Sequence, residues 1–331
     1  MLVGGCACAF AAFAALAAFL APRVARAQTE VVIVSGLGGE PVYSKRFAAM
    51  AAELAGALHA RFGIADSSIV WVGEDSVHVE PHYGGLSTKV NIERYLRRAA
   101  GRTGQFVVVL IGHGSGDGAE TRISVPGPDP TAADFAKWLG AFGERRTAIV
   151  NLTSASGDAI ATLSAPNRVV ITATKSSFER NESHFGEYFV HALSADGADT
   201  DKDGRVSLLE AFRYAARETA RLYENASHLQ TEHAQLDDDG DHAGTAEPTG
   251  RSGEGMLARR FFFDAGRGAL ASADRRVAAL YVEQSALEEQ VDGVRAKKAT
   301  MVPEAYDAAL EPLLVSLARK AREIRQAEGR P

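Results

Sequence analysis

The feature that most limits the fold of this chain is a series of short, apolar segments that alternate with helix-forming ones. The apolar segments predict strands at 31–37, 69–73, 105–112, 147–152 and 168–173. Between them, segments such as 48–62 have the three- and four-residue apolar spacing of helices. Apolar strands that are separated by helices indicate a mainly parallel sheet covered by helices on both faces. The predicted fold class is therefore α/β.

The first 27 residues differ from the rest. Met1–Pro22 is almost wholly apolar and alanine-rich, and Ala25-Arg26-Ala27 gives an A-x-A cleavage site before Gln28. This pattern predicts a signal peptide over 1–27 and an exported protein, periplasmic or secreted, with no stable membrane span after cleavage. No Lys or Arg precedes the apolar run. A membrane anchor formed by an uncleaved N-terminal segment is therefore the alternative.

Cysteine usage and charge exclude several classes of function. Cys6 and Cys8 both lie in the leader, so the mature chain would have no disulfide, thiol nucleophile or cysteine metal site. The chain has 36 basic and 42 acidic residues, and loss of Arg23 and Arg26 would change its net charge from −6 to about −8. This acidic balance argues against nucleic acid as a partner.

The segment Asp199–Glu210, DTDKDGRVSLLE, matches the calcium loop of an EF-hand position by position. Gly204 occupies position 6, where the loop turns sharply, and helices are predicted before and after it. The expected ligands are Asp199, Asp201, Asp203, the carbonyl of Arg205, Ser207 and Glu210. We therefore predict that Ca²⁺ binds here; the alternative is a solvated acidic turn. The segment Asp237–Asp241 lacks the required glycine and glutamate, so it is interpreted as an acidic loop that could lend a ligand.

Two polar residues follow predicted strands at points where α/β proteins place their sites. His113 follows the strand at 105–112, and Ser154 follows the strand at 147–152. In open parallel sheets, ligands bind at the carboxyl ends of the strands. His113 and Ser154 are therefore candidate site residues.

These two turns carry a family resemblance over roughly residues 31–192. A strand ending in His113-Gly114, followed by a strand that ends in a small-residue turn, resembles the caspase-like fold and, within it, the legumain-type peptidases. The usual Ala-Cys-Glu-Ser-Gly turn of that family is matched by Thr153–Gly157, TSASG. The resemblance implies that His113 is the general base, and that the amides of Gly114 and Ser154 form the oxyanion hole.

The chain departs from the legumain pattern in two ways. Ser154 stands where the family has cysteine, and a serine hydroxyl needs a base that a third group holds in place. Legumain-like enzymes often carry an orienting asparagine in the loop after the first strand, where this chain has only Gly36-Leu37-Gly38-Gly39. Asn151 and Asp158 are the nearest polar alternatives. The sequence therefore leaves enzymatic activity undecided.

The C-terminal part has a different pattern. Apolar residues recur at helical spacing on both sides of Pro303, which predicts a coiled-coil-type helical hairpin over 266–331. It either folds on itself or on the α/β domain, or forms an arm for self-association. The predicted α/β domain spans 28–265, with the calcium loop at 199–210 inside it, and Arg259–Phe263 could add one more strand.

Two functions remain open. The favoured one is a catalytically impaired peptidase homologue (a pseudopeptidase) that binds Ca²⁺ and a peptide or protein. The alternative is an active endopeptidase that uses Ser154 as nucleophile and His113 as base.

Overall fold

A computed structural model describes residues 29–75, 81–200, 205–250, 253–263, 275–295, 297–298 and 301–327. The predicted signal peptide at 1–27 lies outside the described residues, as do the predicted calcium ligands Asp201 and Asp203. Among the helices of the described ranges, none is long and apolar enough to cross a membrane.

The strands form one large sheet and one small hairpin. In chain order they are β1 (Thr29–Ser35), β2 (Ile69–Gly73), β3 (Tyr83–Leu86), β4 (Gln105–Ile111), β5 (Gly114–Gly116), β6 (Thr121–Ile123), β7 (Thr147–Asn151), β8 (Arg168–Thr172) and β9 (Gln235–Asp237). The large sheet has the order β3-β2-β1-β4-β7-β8-β9, and β5 pairs with β6. Every neighbouring pair in the large sheet is parallel except β8 and β9, which are antiparallel. The predicted mainly parallel sheet is confirmed.

The helices that the structure describes are α1 (Pro41–Ala60), α2 (Lys89–Ala100), α3 (Ala132–Gly140), α4 (Ala159–Leu163), α5 (Phe185–Ser194), α6 (Leu208–Asn225), α7 (Arg275–Arg295) and α8 (Pro303–Ala327). The expected cap of α3 is present: the Thr131 side chain accepts a hydrogen bond from the Asp134 amide, and the Asp134 carboxylate accepts one from the Thr131 amide. Two short 3₁₀ turns lie at 66–68 and 258–260.

Two hydrophobic cores lie on opposite faces of the sheet. Because side chains alternate along a strand, Val107 and Val109 of β4 face α1, α5 and α6, whereas Val108 and Leu110 face α2, α3 and α4. All seven residues of β4 are buried. Because helices cover both faces of the sheet, the central strands need apolar side chains on both faces. Their sequences are therefore continuous apolar runs.

The prediction of a strand at Arg259–Phe263 is wrong. The segment forms the 3₁₀ turn at 258–260, and only Phe262 makes a bridge, to Ser207 at the start of α6. Phe261 and Phe263 are completely buried in the core beneath α6. The apolar run therefore reflects packing against the sheet domain rather than strand pairing.

Two helices form the C-terminal hairpin. α8 begins at Pro303, the position that proline favours at a helix start, and α7 and α8 pack against each other. Val277, Val291 and Ile324 are buried, and Lys320 of α8 forms an ion pair with Glu283 of α7 at 2.6 Å. The hairpin thus folds on itself, one of the arrangements that the sequence left open.

Candidate functional site

The carboxyl ends of β4 and β7 bring the two predicted catalytic residues to the same edge of the sheet. β4 and β7 are neighbours and pair in parallel, with Leu110 opposite Asn151. His113 lies two residues beyond the end of β4, and Ser154 lies three residues beyond the end of β7. Adjacent turns at one sheet edge can supply groups to one site.

Ser154 is held by the backbone of the histidine turn rather than by the histidine. Its hydroxyl accepts a hydrogen bond from the Gly114 amide at 3.3 Å and donates one to the Gly114 carbonyl, also at 3.3 Å. Ser154 is only 6% exposed. In the described part of the chain, no hydrogen bond joins Ser154 to the His113 ring. The hydroxyl is thus engaged with a backbone group that cannot take its proton.

His113 lies among aromatic rings. The edges of Tyr43 and Phe47, both in α1, contact it with ring centroids 4.8 Å and 5.0 Å away. Its backbone carbonyl accepts a hydrogen bond from Ser124 at 3.0 Å. Within the described ranges, no carboxylate or amide side chain forms a hydrogen bond with the imidazole. Packing therefore fixes the ring, and in the described part of the chain no side-chain hydrogen bond orients it.

The two polar residues considered as orienting groups make other contacts. The side-chain oxygen of Asn151 accepts hydrogen bonds from the Thr153 amide at 3.2 Å and the Thr153 hydroxyl at 2.8 Å. The Asp158 carboxylate accepts hydrogen bonds from the amide and the hydroxyl of Ser177. Both stabilise the turn after β7, and neither reaches His113.

The turn after β7 is tightly built. Ala155 has a φ of +53°, which is unusual for a residue with a side chain and marks a sharp reversal. The amides of Ser156 and Gly157 both donate to the Thr174 hydroxyl, at 2.8 Å and 3.1 Å. Within the described residues, the Ser154 amide donates to no acceptor. The oxyanion role that the family resemblance implies for this amide stays a prediction.

The segment after β8 contacts the turn after β7 and strand β5. The Glu179 carbonyl accepts a hydrogen bond from the Ala155 amide at 2.9 Å. The Glu179 carboxylate contacts the His233 ring at 2.5 Å, and Arg180 donates to the Gly116 carbonyl at 3.2 Å. This segment is therefore tied to the turn after β7 through the Glu179 carbonyl and to β5 through the Arg180 side chain.

The predicted calcium loop is described only in part. Its last residue, Glu210, accepts hydrogen bonds through one oxygen from the amide and hydroxyl of Thr200, and through the other from the amide and hydroxyl of Ser207. Ser207 caps α6, and the Arg205 guanidinium lies 3.6 Å from the Phe262 ring centroid. Four residues separate the end of α5 from Asp199. The described half of the loop thus leads into a capped helix, α6, and the EF-hand and its calcium binding stay predictions.

Comparisons with known proteins give little further identification. No protein-family model matches the chain, and no curated protein matches it. Among solved structures, it is similar to a secreted C11 cysteine protease from Bacteroides thetaiotaomicron in complex with an irreversible peptide inhibitor. The identity is 12%, the match covers 64% of this chain and 66% of that chain, and the TM-score is 0.39. A similarity at this level assigns no function, so the class that the fold defines is an α/β protein with a candidate site at the carboxyl edge of its sheet.

Proposed function

We propose that this chain is an exported, calcium-binding domain of the caspase-like, legumain-type class that binds a peptide or protein and has lost acyl-transfer chemistry. The support for the class is the pairing of a His-Gly turn and a TSASG turn at the ends of neighbouring parallel strands. The support for export is the apolar leader with its A-x-A site.

One observation carries the loss of activity: the Ser154 hydroxyl is bonded to the backbone of Gly114 and not to His113. A serine hydroxyl becomes a nucleophile only when a base accepts its proton, and the base works best when a third group orients it. Neither condition is met by the contacts of Ser154 and His113. A cysteine at this position would depend less on them, because a thiol ionises near pH 8.5 without strong help.

A peptide-binding surface can remain after the chemistry is lost. The Ser154 amide would hold a peptide carbonyl, and the exposed Arg180 side chain would contact an acidic side chain of the peptide. Calcium in the loop 199–210 would fix the start of α6, which packs against α5 and the same core as α1. Its role is therefore structural: it holds the helical layer beneath His113.

The alternative is an active endopeptidase, and a specific observation favours it. His113 and Ser154 occupy adjacent turns, and a rotation of the Ser154 side chain would exchange its bonds to Gly114 for another partner. Catalytic hydrogen bonds are often absent before substrate binds. Under this alternative, His113 takes the Ser154 proton as the hydroxyl attacks a peptide carbonyl, and the Gly114 and Ser154 amides stabilise the oxyanion.

Peptide cleavage separates the two functions. The chain from Gln28 onward is incubated with a mixed peptide library in the presence of Ca²⁺, alongside Ser154→Ala and Ser154→Cys. Ser67→Ala is the matched control, because Ser67 is exposed and precedes β2 at the opposite edge of the sheet. We expect no cleavage by the native chain. Cleavage that Ser154→Ala abolishes and Ser67→Ala retains would overturn the proposal.

The cysteine variant tests the groove. Activity that appears only in Ser154→Cys would identify an intact peptide-binding groove that lacks a nucleophile. If this variant is also inactive, peptide binding by the native chain is measured directly with the same library by affinity selection. A failure to retain any peptide would refute the binding function.

Self-association is proposed for the C-terminal hairpin. α7 and α8 form a pair, and α8 carries exposed apolar residues such as Leu314 and Val315. Light scattering of the chain from Gln28, compared with a chain ending at residue 265, gives the masses of both. Equal oligomeric states would exclude the hairpin as an association element.

A further inference from the structure

Four carboxylates meet where β9 ends, outside the predicted calcium loop. They belong to Asp237, Asp239, Asp241 and Glu254, and each offers one oxygen that lies within 4.8 Å of the others. Three come from one tight loop, and the fourth comes from a segment more than ten residues further along the chain. The geometry points to a divalent cation site for Ca²⁺, separate from the loop 199–210.

Two buried carboxylate oxygens in the cluster lack a hydrogen-bond donor, and this is stronger evidence for a bound cation than the negative charge of the cluster. Asp237 has no exposed surface, and its Oδ2 atom accepts no hydrogen bond in the described part of the chain. The same is true of the buried Oε1 atom of Glu254. A buried carboxylate oxygen without a donor costs several kcal/mol unless a cation or a proton compensates it.

The protein holds these ligands in place through a neighbouring residue. The Asp238 carboxylate accepts hydrogen bonds from the Gly255 amide and the Ala258 amide, both at 2.7 Å. The Asp238 amide in turn donates to Glu254 Oε2 at 2.8 Å. The loop and the segment 253–258 are thus joined by three hydrogen bonds that leave the second oxygen of Glu254 available to a cation.

The cluster brings several acidic side chains close together. Asp238 lies beside Glu254, and Asp239 and Asp241 lie beside Asp237. Asp239 and Asp241 are exposed, so an ion can reach the buried oxygens from solvent.

The donor set selects the kind of ion. All four side chains offer carboxylate oxygens, which suit a hard cation and not zinc or copper. Two oxygens on opposite sides of a bound Ca²⁺ lie about 5 Å apart, so four oxygens that all lie within 4.8 Å of one another can share one ion. Mg²⁺ normally keeps several waters and takes one or two carboxylates, so a cluster of four favours Ca²⁺.

Equilibrium dialysis with radioactive Ca²⁺ on the full mature chain, after treatment with a chelator, tests the site. Asp239→Asn combined with Asp241→Asn removes two exposed ligands without disturbing the core. Glu224→Gln combined with Glu247→Gln is the matched control, because it removes the same charge from two exposed residues outside the cluster. A third variant, Asp201→Asn combined with Asp203→Asn, disables the predicted loop.

The expected result is the loss of one bound Ca²⁺ per chain, or an affinity weaker by about tenfold or more, in the cluster variant alone. The charge control retains native binding. The loop variant retains the cluster ion, so failure of the loop leaves this inference intact. A cluster variant that binds as much Ca²⁺ as the native chain, or a loop variant that binds none, overturns it.

Discussion

Glu232 should be one of the most sensitive positions for stability, because its buried carboxylate caps α5 from outside the helix. Glu232 is 2% exposed. Its carboxylate accepts hydrogen bonds from two hydroxyls, those of Ser183 at 2.6 Å and Tyr223 at 3.2 Å. It also accepts hydrogen bonds from the backbone amides of His184 and Phe185, at 2.8 to 3.1 Å. The N-cap residue, His184, provides no side-chain cap of its own. The start of the helix therefore depends on Glu232.

The expected cost follows from these contacts. Glu232→Ala leaves four donors without their acceptor, and each unsatisfied buried donor costs about 1–3 kcal/mol before water or rearrangement compensates. We expect a net loss of about 4 kcal/mol, near the upper end for single substitutions. Glu232→Gln keeps one acceptor but loses the charge that strengthens the bonds, so we expect a loss of about 2 kcal/mol.

Urea unfolding followed by circular dichroism measures these losses as shifts of the midpoint at unchanged slope. The matched control is Glu224→Ala, an exposed glutamate of the last turn of α6, which should change stability by less than about 0.5 kcal/mol. If Glu232→Ala costs less than about 1 kcal/mol, the carboxylate does not cap α5 and the reasoning is refuted.

Further predictions concern the site turn, helix propensity and pH. Gly157→Ala places a Cβ 2.0 Å from a backbone carbonyl carbon and should destabilise by about 3 kcal/mol, measured by thermal denaturation. Gly56→Ala places a Cβ in open space on α1 and should instead stabilise the protein by about 1 kcal/mol. Equal changes in Tm for Gly157→Ala and Gly56→Ala would contradict this prediction. The His184 ring and then the Arg46 guanidinium hold the pKa of Glu187 below its usual 4.5. The ionised Glu187 carboxylate therefore adds to the stability of the folded state above pH 4.5, and this stabilisation is lost as the pH falls below that value. Glu187→Gln should therefore lower the Tm at pH 7 and have little effect at pH 3, and a constant difference in Tm would exclude this linkage.

The sheet was largely predictable from the sequence because burial on both faces forces an unambiguous apolar pattern. The five predicted central strands agree with the structure to within two residues at each end. β9 was missed, because three residues ending in an aspartate carry no strand pattern, and only pairing with β8 makes them one. α1 begins at Pro41 rather than near residue 48, because Pro41, Val42 and Lys45 are exposed and Tyr43 and Phe47 alone give only a short apolar pattern there.

The site was predictable only as a location. Strand order placed His113 and Ser154 at one sheet edge, since parallel neighbours end at the same side. The bonds of the Ser154 hydroxyl to Gly114, and the aromatic rings of Tyr43 and Phe47 around His113, depend on rotamers and on a helix distant in sequence. The carboxylate cluster brings Glu254 to residues 237–241. A local sequence pattern cannot predict a ligand that comes from a separate segment of the chain.

The segment 253–262 supports both acidic regions of the chain. At one end it carries Glu254, and Asp238 fixes the amides of Gly255 and Ala258. At the other end, Phe261 and Phe262 pair with Leu208 and Ser207, which open α6 and lie inside the predicted loop. The two regions therefore share one stretch of backbone as a structural support.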